Sequence, residues 1–174
     1  VGTQVMQAAA EHLTPVSLEL GGKSPVIVDD TADIRTAARR IAFGKVTNAG
    51  QTCVAPDYAF VREPVLERFL TEYRRALAEF FPGGDLSQLP VIVNARHFAR
   101  LRGLLEGQNI VIGGGCDEKT RRIEPTVICP AGLESPVMQE EIFGPILPVI
   151  PYTHIRECIA YITAHEKPLA LYLF

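Results

Sequence analysis

The sequence has no tryptophan, two methionines and four cysteines in 174 residues. The cysteines, Cys53, Cys116, Cys129 and Cys158, form no C-x-x-C pair, and no histidine stands at ligand spacing from any of them. That excludes the usual zinc patterns, and no metal is expected. The short, Cys-dense context of a disulfide-stapled secreted domain is missing too, which points to a reducing, cytoplasmic setting. No apolar run is long enough to span a bilayer, and no secretory signal is visible. Net charge is −3, with basic residues scattered among acids rather than gathered in a stripe. Nucleic acid is therefore not an expected partner.

What is present is an ordinary globular composition, 47% hydrophobic and 21% charged. The length suits one domain with a substantial core. Apolar runs alternate with helix-period segments. "VSLEL" (16–20), "PVIVDD" (25–30), "YAFVRE" (58–63), "NIVIGG" (109–114), "PTVIC" (125–129), "ILPVIP" (146–151) and the terminal "LALYLF" read as strands. Residues 1–13, 33–48, 64–80, 95–106 and 154–164 read as helices, with Asp33 near the start of one and Pro64 opening another. This alternation predicts an α/β fold with a largely parallel twisted sheet and flanking helices.

Three stretches stand out chemically. "LELGGKSP" (18–25) places Glu19 between two leucines in an expected strand, where partial desolvation would raise its pKa toward that of a general base. Its bland alternative is a strand carboxylate facing solvent. Gly22-Lys23-Ser24 is not a phosphate-binding loop, because the glycine required five positions earlier is Ser17. "NAGQTC" (48–53) ends on Cys53, whose small and polar neighbours leave the sulfur open to approach; the alternative is a core cysteine at a strand start. "EEIFGP" (140–145) is an exposed turn by default, or a site where a carboxylate binds hydroxyls, as acidic residues do with a cofactor ribose.

In this order, and with "EPTVI" at 124–128 and "PLALYLF" at the end, the three stretches closely resemble the aldehyde dehydrogenase superfamily over essentially the whole chain. "GQTCVAPDY" is most similar to the class 3, fatty-aldehyde and coniferyl-aldehyde branch. The resemblance implies NAD(P)-dependent oxidation of a small-molecule aldehyde, with NAD or NADP as cofactor. Cys53 would be the nucleophile that forms a thiohemiacetal and then a thioester, and its backbone N–H an oxyanion donor. Glu19 would be the general base for thioester hydrolysis. Glu141 would hold the nicotinamide ribose and Phe143 would pack beside the nicotinamide, with Leu20 and Gly21 also lining the cofactor site. Residues 1–18 would be the tail of a nucleotide-binding domain and 19–174 a catalytic domain truncated at its C-terminal end. Such a fragment is expected to be inactive alone, and the family to assemble as homo-oligomers.

Two rival readings stand beside this one. Cys53 could serve a hydrolase or acyltransferase with His12, His97, His154 or His165, or the domain could be non-catalytic.

Overall fold

The computed structural model describes residues 1–174. Its elements run α1 (Gly2–Ala10), β1 (Pro25–Val28), α2 (Ile34–Val46), β2 (Tyr58–Arg62), α3 (Leu66–Phe80), α4 (Ala95–Leu104), β3 (Ile110–Ile112), β4 (Cys116–Asp117), β5 (Arg122–Ile123), β6 (Thr126–Ile128), α5 (Pro136–Gln139), β7 (Ile146–Tyr152), α6 (Ile155–Ala164) and β8 (Tyr172–Leu173). Six strands form one sheet in the order β3-β6-β7-β2-β1-β8, and β4 and β5 pair as a small separate ribbon. Every pair in the main sheet is parallel except β3 with β6.

The strands read as unbroken apolar runs because both faces of the sheet are covered. Val26 and Val28 of β1 and Ala59 and Val61 of β2 point to one face, where Ile34, Ala38 and Ile41 of α2 pack with Phe69 and Tyr73 of α3. Ile27, Tyr58 and Phe60 point to the other, against Phe98 and Leu101 of α4 and Cys158 of α6. Asp33 starts α2 by accepting a hydrogen bond from the Thr36 amide, and Asn94 does the same for α4 from His97.

Two sequence expectations fail. "VSLEL" forms no strand, and the main sheet has no place for one beside β1, whose neighbours are β2 and β8. "LALYLF" is strand only at Tyr172–Leu173, because its ladder partners are limited to Val26 and Ile27 of the short β1. The β4–β5 ribbon and the single turn of α5 are too short to give a periodic signal and went unforeseen.

Candidate active site

The central three strands of the sheet, β7, β2 and β1, are adjacent and parallel. Each of the three chemically marked stretches leads directly into one of them: "LELGGKSP" into β1, "NAGQTC" into β2 and "EEIFGP" into β7. Adjacency therefore gathers the three stretches at one edge of the sheet, the amino-terminal edge.

The thiol turn is an unusual piece of backbone. After α2 ends at Val46, Asn48, Ala49 and Gly50 take left-handed conformations in succession, with φ of 50°, 53° and 71°. For a non-glycine residue such a conformation costs about 1–2 kcal/mol. Gln51 offsets this with a set of hydrogen bonds. Its side-chain amide donates to the carbonyls of Asn48 (3.0 Å) and Val91 (3.2 Å), and its carbonyl accepts from the Val93 amide at 2.9 Å. The Asn48 side chain donates back to the Gln51 carbonyl at 2.9 Å. Cys53 follows on the exposed side of this turn, and its backbone N–H donates to no protein acceptor. The Tyr172 hydroxyl of β8 donates to the Val54 carbonyl at 2.6 Å, bracing the turn from the other side.

Gly50 joins the thiol turn to the acid loop. A Cβ at position 50 would lie 2.2 Å from the Gly144 carbonyl oxygen, so only glycine permits this approach. In that acid loop Phe143 also has a positive φ of 51° and is 39% exposed. An aromatic residue held left-handed and uncovered is strained, and such strain gathers at functional sites. Glu141 is half-buried, and burial raises its pKa, opposed by the nearby Gly22 N–H dipole and by Lys23 and Lys45. Its Oε2 would lie 2.0 Å from a Cβ on Gly21, so the carboxylate rests against the bare Gly21 backbone.

Glu141, Gly21 and Phe143 thus fit a hydroxyl-bearing group beside a flat ring: a partly dry carboxylate with spare acceptor capacity and an open aromatic face. Leu20 does not join them. Its side chain packs over Gly2 of α1, 3.2 Å from where a Cβ would sit. Glu19 is exposed and makes no hydrogen bond or ion pair. The expected partly dry strand carboxylate is not found, because Leu18 and Leu20 are themselves 36% and 52% exposed and give it no cover. None of the four histidines hydrogen-bonds Cys53. His165 contacts the Tyr161 carbonyl (Nδ1 to O, 2.7 Å), His154 and His97 begin helices, and His12 follows α1.

Sequence reasoning missed Asp57, Lys23 and Lys45. Asp57 is buried, pairs with Lys23 and accepts from the Ile142 amide. Lys45 is fully buried on the inner face of α2 without a hydrogen-bond partner, and desolvation lowers its pKa to about 8. The signal for Lys45 was available, since it falls on the same helical face as Ile34, Ala38 and Ile41.

By fold and site this is an α/β enzyme domain built around an accessible thiol and an acid–aromatic loop. The chain belongs to the aldehyde dehydrogenase family, whose model matches residues 1–174. It is 54% identical to the 4,4'-diaponeurosporen-aldehyde dehydrogenase of Staphylococcus aureus, over 100% of this chain and 39% of that protein. It is 48% identical to the dimeric NADP-preferring aldehyde dehydrogenase of Canis lupus familiaris, again over 100% of this chain and 39% of the relative. The substrate-bound structure of Staphylococcus aureus AldH superposes with a TM-score of 0.95 at 53% identity, covering 99% of this chain and 39% of that one. The chain therefore spans about two-fifths of the length of these relatives.

Proposed function

We propose that residues 19–174 are the catalytic portion of an enzyme that oxidises an aldehyde to a carboxylic acid with NAD or NADP, and that residues 1–18 end its nucleotide-binding portion. The observation that carries this reading is the Gly50–Gly144 contact, which sets the thiol turn against the loop bearing Glu141 and Phe143. Cys53 attacks the carbonyl carbon as thiolate, a C–S bond forms, and the carbonyl electrons move to oxygen. The unengaged Cys53 N–H donates to that oxyanion. Glu141 holds ribose hydroxyls and Phe143 offers its exposed ring to the nicotinamide. NAD(P), when bound, supplies the two-electron acceptor that the oxidation requires. Glu19 takes a proton from the water that cleaves the Cys53 thioester, releasing the acid and restoring the thiol. Its support is its place in "LELGG", two residues before Gly21, the glycine on which Glu141 rests.

The test is aldehyde-dependent reduction of NAD(P) by the full-length protein. Cys53→Ala is expected to abolish it with folding retained. Turnover persisting in that variant would sink the reading. The name of the dog relative, a dimeric enzyme, supports assembly as a homo-oligomer. Sedimentation of the full-length protein checks this, and a lone monomer at micromolar concentration counts against it.

A further inference from the structure

We propose that Asp57 is a positioning residue that, through its pairing with Lys23, sets the backbone of Glu141 for cofactor binding. The proposal rests on the reading that Glu141 and Phe143 hold NAD(P).

Asp57 bonds to two of the chemically marked stretches and follows the third closely in the chain. It lies four residues after Cys53, at the mouth of β2, and is 3% exposed. Its amide donates to the Ser24 carbonyl at 2.9 Å, which ties it to "LELGGKSP". Its Oδ1 accepts from the Ile142 amide at 2.9 Å, which ties it to "EEIFGP". Its Oδ2 pairs with the Lys23 ammonium. Lys23 in turn donates to the carbonyls of Glu140 (2.9 Å) and Val137 (3.1 Å).

The arrangement brackets one residue. The Glu140 carbonyl belongs to the peptide before the Glu141 Cα, and the Ile142 amide to the peptide after it. Lys23 fixes the first and Asp57 the second, so the ion pair holds both peptide planes that orient Glu141. Phe143 follows one residue later in its left-handed conformation. A buried ion pair contributes little net stability, because desolvation offsets the attraction. Here each partner also spends hydrogen bonds on the backbone of the acid loop, which gives the pair a geometric purpose. Lys45 lies beneath it, buried and without a hydrogen-bond partner, attracted to Asp57 and Glu141 and repelled by Lys23. Two lysines and two carboxylates thus share one partly dry volume in which the charges balance. Loss of the Asp57 charge leaves two cations there without their central counter-ion.

The experiment uses the full-length enzyme with Asp57→Asn, Lys23→Met, Glu141→Gln and the Asp57→Asn/Glu141→Gln double variant. KM and kcat are measured for NAD(P) and aldehyde, with the alkylation rate of Cys53 as a report on the thiol turn. Asp57→Asn is expected to raise the NAD(P) KM about tenfold, as a small misplacement of a binding group does. The aldehyde KM and the Cys53 alkylation rate should hold within about twofold, since the thiol turn has its own bonds through Gln51. The double variant should bind NAD(P) no worse than Glu141→Gln alone. Additive losses, or a parallel loss of Cys53 reactivity, overturn the proposal and assign Asp57 to general stability. If Glu141→Gln leaves NAD(P) binding unchanged, the cofactor reading itself fails and takes the proposal with it. If Asp57→Asn does not fold, Lys23→Met carries the test by the same readouts, and an unchanged NAD(P) KM in that variant rejects the proposal.

Discussion

Gly50 and Gly144 meet backbone to backbone, and the space between them has no room for a methyl group. Gly50 is also left-handed, with φ of 71°. Gly50→Ala therefore combines a steric clash with backbone strain, and the clash is with a carbonyl rather than a movable side chain. It is expected to destabilise the protein by about 1–3 kcal/mol and to lower turnover by separating the thiol turn from the acid loop. Thermal unfolding and steady-state kinetics on the same preparation check both effects.

Gly21→Ala should behave differently. Its added methyl meets the Glu141 carboxylate, the far end of a flexible side chain, and the Gly21 backbone carries no positive φ. The side chain can swing away at little cost to the fold. The expected outcome is an unchanged melting temperature with a raised NAD(P) KM, and a large fall in stability would show that the cradle is structural.

The four thiols should separate by accessibility and ionisation. Cys129 and Cys158 are buried, and burial pushes their thiols up to about 11 and about 12. Cys116 is exposed, yet partial desolvation raises its pKa too, and its sulfur lies 3.8 Å from the Gly114 carbonyl. Cys53 is exposed on an open turn. Substoichiometric iodoacetamide followed by peptide mapping is expected to label Cys53 first, and preferential labelling of Cys116 refutes this.

Glu19→Gln in the full-length enzyme is expected to leave thioester formation intact while slowing its hydrolysis by about 10²–10⁴-fold, the usual contribution of a positioned base. Rapid-mixing kinetics should then show a burst of NAD(P)H followed by slow turnover. Full steady-state activity in this variant would remove Glu19 from the mechanism.

Lys45 gives a pH prediction with a definite sign. Its folded pKa is lowered from 10.5 to about 8, with desolvation the main cause despite the attraction of Asp57. Above about pH 10.5 the amine is neutral folded or unfolded, and no penalty arises. As pH falls from there to about 8, the unfolded chain takes the proton first and the native state loses stability. Below about 8 the penalty is constant. From pH 10.5 down to 7, the stability of Lys45→Met relative to wild type should therefore rise by about 3 kcal/mol. Urea unfolding of both proteins across that range measures it, and a flat difference contradicts it.

Most of the sheet was legible because its strands, covered on both faces, appear as continuous apolar runs between turn residues. "VSLEL" has the same composition without a neighbouring strand to accept it, and composition alone does not reveal a missing partner. Cys53, Glu141 and Phe143 were marked in the sequence, but the contact of the loops that carry them, at Gly50 and Gly144, was not readable. It depends on β7 lying beside β2, an adjacency that chain order does not announce. Asp57 gave no periodic or compositional signal, since its importance lies in bonds to residues 33 and 85 positions away.

Ligands of open parallel sheets ordinarily bind beyond the carboxyl ends of the strands. Here the marked stretches occupy the opposite rim, and the carboxyl ends of β1, β2 and β7 carry a surface ion cluster in which Arg62 pairs with Asp30 and the Tyr152 hydroxyl donates to Asp29 at 3.3 Å. The two rims of one sheet are thus under unequal constraint. A segment entering β1, β2 or β7 cannot lengthen without disturbing the packed meeting of the thiol turn, the acid loop and the Gly21 backbone. The turns leaving those strands are free of that restriction, so they are where this fold can diverge, accept a graft or carry a reporter while its chemistry stays in place.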